Sequence, residues 1–201
     1  MKNKKVFYTI VLCVLIVTLI ILSIIIINIQ ADRKENEHEN KELLEKLKVN
    51  LKSEEVPKLE NVPLEFEGCK VIGIIKIPKI SLEYPILSET TKSTMKKSIS
   101  RFWGEDINSY GNVSLAGHNN YDGTMFGKIK KLEIGDIVEL TDLSNRIIEY
   151  EVKEIFSTDP NDVTILETTN SEIREVTLIT CTNGHAERLI VKAYEKNILG
   201  E

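Results

Sequence analysis

The chain has 201 residues, a net charge of −5 and three cysteines. That length holds one domain with appendages. The acidic balance and the lack of a basic cluster give nucleic acid no footing, and three scattered cysteines make no disulfide scaffold.

In chain order, the first predicted element is a membrane span. Residues 6–29 carry no charged side chain and are almost all aliphatic. As a helix they would be about 36 Å long, enough for a hydrocarbon core of about 30 Å. A cleaved signal would have a shorter apolar run and a small-x-small site. Asn28-Ile29-Gln30-Ala31-Asp32 is a poor one, so the span is read as an uncleaved anchor. Lys2, Lys4 and Lys5 precede it. The positive-inside rule therefore puts residues 1–5 in the cytoplasm and everything after residue 29 outside the cell.

Residues 30–65 mix acids and bases without order and read as a charged extracellular stalk. Leu43, Leu47 and Leu51 form one narrow helical stripe, and Pro57 and Pro63 then discourage helix. The globular part is predicted over 66–201. Strands are expected at 71–77, 82–86, 112–116, 136–140, 147–156, 175–180 and 188–194, from β-branched runs bounded by Gly, Pro and Asn. A helical turn is expected at 91–99 and a short helix at 125–132. About eight short strands with little helix argue for a mostly β fold, an antiparallel barrel or sandwich.

The chemistry concentrates near the C-terminus. In Thr177-Leu178-Ile179-Thr180-Cys181 the cysteine ends a strand-like run, and Arg188 opens the next one seven residues on. So short a connection favours an antiparallel hairpin with Cys181 and Arg188 facing each other at its mouth. A guanidinium there lowers a thiol pKa, binds a peptide carbonyl or faces an oxyanion. An inert thiol and a surface arginine are the plain alternatives. His118 follows Leu115-Ala116-Gly117 at a predicted strand end opening into a loop. His185 competes for the same role, but it sits after Gly184 at a loop tip, where a rotamer is poorly held, so His118 is preferred. Gly123 to Lys128 does not match a phosphate loop in its spacing or its frame, and no paired cysteines or spaced histidines make a metal site.

Three segments, Leu115-Ala116-Gly117-His118, Thr177 to Cys181, and Arg188 at the head of the last strand, stand in the order and spacing of the sortases. The chain resembles that family of membrane-anchored cysteine transpeptidases from about residue 72 to 196. The resemblance implies an eight-stranded sortase-type β-barrel with catalytic residues His118, Cys181 and Arg188. Thr180 and Arg188 are the candidates for substrate binding. The implied reaction cleaves a C-terminal sorting signal of Leu-Pro-x-Thr-Gly type between Thr and Gly. It then passes the acyl group to an amine of a cell-wall precursor, anchoring surface proteins.

The partners implied are surface proteins with that signal, an amine acceptor on peptidoglycan precursor, and the cell membrane through residues 6–29. No cofactor is expected. Calcium at Asp159, Asp162, Glu167 and Glu172, as in some family members, is the less favoured reading beside solvated loop acids. A class D-like or class A-like enzyme is expected, with a lean to the former. The rivals are another anchored thiol peptidase or amidase of the cell wall, and a tethered binding domain with an inert cysteine. In papain-like enzymes the cysteine precedes the histidine and no arginine is needed; here the order is reversed.

Overall fold

The computed structural model describes residues 2–52, 65–66, 68–168, 170–182, 184 and 186–196. The chain divides into two compact units, Met1–Glu39 and Asn40–Glu201. Helix α1, Lys2–Lys52, begins in the first and ends in the second.

In the first unit the aliphatic side chains from Val6 to Ile29 are exposed. Among the described residues this is one helix long and apolar enough to cross a membrane. Its few hydroxyls turn back on the helix. Thr9, Thr18 and Ser23 donate to the carbonyls of Lys5, Leu15 and Leu19 at 3.0, 2.8 and 2.9 Å. That arrangement is what a lipid environment requires of polar groups.

In the second unit the strands are β1 Glu65–Phe66, β2 Cys69–Ile77, β3 Leu82–Leu87, β4 Ile99–Gly104, β5 Gly111–Ala116, β6 Ile137–Asp142, β7 Ile147–Thr158, β8 Arg174–Thr182 and β9 Glu187–Glu195. They pair in the order β1-β2-β3-β4-β5-β8-β9-β7-β6, and β6 returns to pair with β2. That last pairing closes an eight-stranded barrel from β2 to β9, with the two-residue β1 at its margin. The expected barrel is therefore present, but it is not purely antiparallel: β3 runs parallel to β4, and β5 parallel to β8. The first parallel seam needs a crossover, supplied by residues 88–98, which include the one-turn helix α2 (Thr94–Lys97). At 125–132 the expected helix is instead a turn followed by a 3-10 turn at Ile129–Lys131.

The barrel interior holds Ile75, Ile77, Ile86, Val113, Leu115, Leu140, Val152, Val176, Leu178, Val191 and Ala193. A second apolar cluster lies outside it. Leu43, Leu44 and Leu47 of α1 bury against Phe66, Val71, Ile74 and Leu87. The leucine stripe read from the sequence thus packs on the outside of β2 and β3. Asn40 Nδ2 donates to Lys97 O at 2.6 Å, and Lys48 pairs with Glu83 at 2.8 Å. The Glu83 carboxylate raises the Lys48 pKa. Both side chains of that pair are about a third exposed, so the leucines and not the ion pair dominate the docking.

A polar plug occupies one end of the barrel. Asn108, fully buried in the β4–β5 loop, donates from Nδ2 to Leu140 O at 3.1 Å and to Arg146 O at 2.9 Å. Its Oδ1 accepts from the Tyr150 hydroxyl at 3.0 Å. Burial, with the nearby Glu195 carboxylate second, pushes the Tyr150 phenol pKa up. The neutral phenol is thus favoured in the fold. Its contribution is complete below the ordinary phenol pKa of about 10 and is lost as pH climbs above it. Urea unfolding of the full chain in detergent is therefore expected to show stability falling above about pH 10. Tyr150→Phe should make that fall shallower; an unchanged slope would show that the phenol is not the group responsible.

Candidate active site

Topology decides where the three predicted residues meet. Because β5 and β8 are parallel, their C-terminal ends lie at the same end of the barrel, with Ala116 opposite Ile179. His118 comes two residues after β5, and Cys181 lies in the last turnings of β8. Strand β9 runs antiparallel to β8 and starts at that same end, with Arg188 directly opposite Cys181. On its other side Arg188 faces Thr158 of β7. The sequence has Cys181 ending its strand; in the structure the ladder runs one residue further, to Thr182.

Side-chain alternation then sets the face. Val176 and Leu178 point into the barrel core, as do Val113 and Leu115 of β5 and Val191 and Ala193 of β9. Cys181, two residues on from Ile179 and four from Thr177, therefore belongs to the outer face. Arg188 and Ile190 share that face on β9, and Ala116 shares it on β5. Cys181, His118 and Arg188 are each half-buried, and the cysteine is a free thiol.

The His118 segment is tied down at each backbone step. Gly117 N donates to Ile179 O at 3.2 Å, and Phe126 N donates to His118 O at 3.0 Å. The Thr180 hydroxyl, buried on the opposite face of β8 from Cys181, donates to Gly117 O at 2.7 Å. Asn119 Nδ2 donates to Cys181 O at 2.8 Å. Glycine at 117 has a steric cause: an added Cβ would lie 2.8 Å from Cδ2 of the Phe126 ring. The ring packs beneath the backbone that leads to His118. Residues 120–127 close on themselves, with Asp122 Oδ1 accepting from Thr124 N at 3.0 Å and from its hydroxyl at 2.7 Å.

An apolar wall borders the cysteine on the same outer face. Ile165, Ile179 and Ile190 are buried together, with Phe156 and Leu166 partly exposed against them. The β7–β8 loop that supplies Ile165 is held by Asn112, whose Nδ2 donates to Leu166 O at 3.2 Å. Sequence reading missed this wall and the bond from Asn119. The alternation Ile179–Cys181 and Arg188–Ile190 carried the signal for the wall.

The loop acids do not converge on a cation. Asp159 Oδ1 accepts from Asn161 N and Nδ2 at 2.8 and 3.0 Å. Asp162 accepts from the Thr158 and Thr164 hydroxyls at 2.5 and 2.6 Å, and those bonds hold its carboxyl below the usual range. Among the described residues no group of three or more His, Cys, Asp or Glu is arranged to hold a metal ion. His185 lies outside the described residues.

Comparison with known proteins bears on this arrangement directly. The sortase domain family matches residues 75–196. The chain belongs to the sortase family. It is 33% identical over 125 residues to sortase A of Bacillus anthracis, covering 61% of this chain and 58% of that protein. To sortase D of Bacillus subtilis it is 33% identical over 118 residues, covering 57% and 56%. The chain therefore spans somewhat more than half the length of these curated relatives. Among solved structures, a sortase D5 transpeptidase of Clostridium perfringens superposes with a TM-score of 0.65 at 33% identity, covering 80% of this chain and 98% of that one. Sortase A of Listeria monocytogenes gives 0.59 at 27%, covering 63% and 88%.

Proposed function

We propose that this sortase is a cysteine transpeptidase acting on a C-terminal sorting signal of Leu-Pro-x-Thr-Gly type. One observation carries the reading: the parallel β5–β8 seam and the β8–β9 hairpin bring the backbones of His118, Cys181 and Arg188 to one end of the barrel.

The Cys181 thiolate attacks the threonine carbonyl, forming a C–S bond and a tetrahedral oxyanion. Arg188, across the ladder, stabilises that charge or orients the peptide. His118 as imidazolium gives its proton to the leaving glycine nitrogen as the C–N bond breaks, which leaves a thioester and a neutral imidazole. The imidazole then takes a proton from the incoming amine. The amine attacks the thioester, a new amide forms, and Cys181 departs as thiolate. The wall of Ile165, Ile179 and Ile190 suits the apolar head of the signal and keeps water from the thioester. Thr180 serves the peptide site through the Gly117 carbonyl that it fixes. No step needs a metal or cofactor.

In this reading residues 6–29 anchor the enzyme in the cell membrane, residues 1–5 stay in the cytoplasm and the catalytic domain lies outside. Its partners are surface proteins bearing the signal and an amine on peptidoglycan precursor. The test incubates full-length protein in detergent with a sorting-signal peptide and an added amine, and follows products by mass spectrometry. Cleavage between Thr and Gly, a thioester on Cys181 and the amine-ligated product are expected. A series varying the first and third signal positions assigns the subclass. No cleavage of any member, together with an unreactive Cys181, would sink the proposal in favour of a tethered binding domain.

A further inference from the structure

The regular ladder between β5 and β8 stops at Ala116 and Ile179, before either reactive position. Beyond it three hydrogen bonds carry the registration. Gly117 N to Ile179 O and the Thr180 hydroxyl to Gly117 O hold the residue before the histidine. The third, Asn119 Nδ2 to Cys181 O, reaches the cysteine itself. Asn119 is in turn fixed by an antiparallel bridge to Met125, and its side chain has two rotatable bonds, a short tether. His118 therefore sits on a peptide segment clamped on both sides: through Gly117 to the strand, and through Asn119 to residue 181.

The geometry points to Asn119 as a positioning residue for transpeptidation, setting the spacing between the His118 and Cys181 backbones. This rests on the function proposed above, because it assumes that the two side chains exchange a proton with one substrate. Asn119 is exposed, so its hydrogen bond adds little to the stability of the fold. Reacting groups are less tolerant: a shift of about 1 Å can cost on the order of a hundredfold in rate. The residue is thus cheap for stability and expensive for catalysis. Its effect should fall on kcat, since its amide is engaged with the Cys181 carbonyl.

The experiment compares Asn119→Ala, Asn119→Asp and Asn119→Gln in the full-length protein, measuring kcat and KM for peptide cleavage with amine present. Aspartate has the same shape but no proton to give, and it sets a carboxylate against a carbonyl oxygen. Alanine is expected to lower kcat about tenfold with KM within about twofold, and aspartate to lower it further. Glutamine keeps the donor on a longer tether and should recover only part of the loss, with kcat above that of alanine and below the parent, and melting midpoints unchanged throughout. The inference is overturned if alanine and aspartate both stay within about threefold of the parent, if the loss lies in KM, or if glutamine does no better than aspartate. Cys181→Ala is assayed beside them. Transfer surviving there breaks the functional reading first; transfer lost there with the Asn119 variants untouched breaks the positioning role alone.

Discussion

Cys181→Ala is expected to abolish both peptide cleavage and amine transfer, a loss of about 10⁴-fold or more in kcat/KM. The methyl group cannot form the thioester, and no other described cysteine shares this face: Cys13 lies in the apolar helix and Cys69 opens β2. His118→Ala removes the proposed proton carrier of both half-reactions and should cost roughly 10²–10⁴. Arg188→Ala removes a cation directly opposite the sulfur's own residue and should cost about 10²–10³. Arg188→Lys should recover little, because a point charge does not reproduce a planar fork of donors. If the three act as one unit, a Cys181→Ala, His118→Ala double variant will be no worse than Cys181→Ala alone. Initial rates by mass spectrometry, with thiol titration to count intact Cys181, read all of these. A His118→Ala enzyme within tenfold of the parent would remove the histidine from the mechanism.

Local chemistry was legible where the contacts are local. The seven-residue spacing from Cys181 to Arg188 forces a tight hairpin, so their opposition followed from the sequence, as did the face that Cys181 shares with Ile179. The His118 end was legible only as a strand opening into a loop. What brings it to the cysteine is the parallel pairing of β5 with β8, between strands separated by two others in the chain, and no local pattern encodes that choice. Strand β4 escaped because its second half is unlike a buried strand. Phe102 and Trp103 are exposed, and the ladder to β5 is irregular between Arg101 and Trp103. At 125–132, Phe126, Ile129 and Leu132 have helical spacing. They are buried, but Phe126 is fixed under Gly117 and the chain follows it as turns. The leucine stripe announced a helix without saying what it would cover, since its partners Val71 and Ile74 read as ordinary strand residues and Leu87 falls just past the expected strand at 82–86.

The largest loss of stability is expected from Asn108→Ala. The side chain is fully buried and meets four groups at once, the Leu140 and Arg146 carbonyls, Asp142 Oδ2 at 3.4 Å and the Tyr150 hydroxyl. Its backbone carbonyl accepts from Arg174 Nε at 2.9 Å, and Arg174 is itself paired with Glu195 at 2.7 Å. Alanine leaves the Tyr150 hydroxyl without its acceptor in a site that excludes water, at about 1–3 kcal/mol for the stranded group. It also takes over a backbone with φ of 62°, which asparagine tolerates better than alanine, for about 1 kcal/mol more. A total of roughly 2–4 kcal/mol follows, out of the 5–15 that hold an ordinary domain. Asn108→Gly relieves the backbone but not the network, so it should recover about 1 kcal/mol of that loss. Urea unfolding followed by tyrosine fluorescence would measure both. A loss under about 1 kcal/mol for alanine would mean that water replaces the amide, and that the plug is wetter than its burial implies.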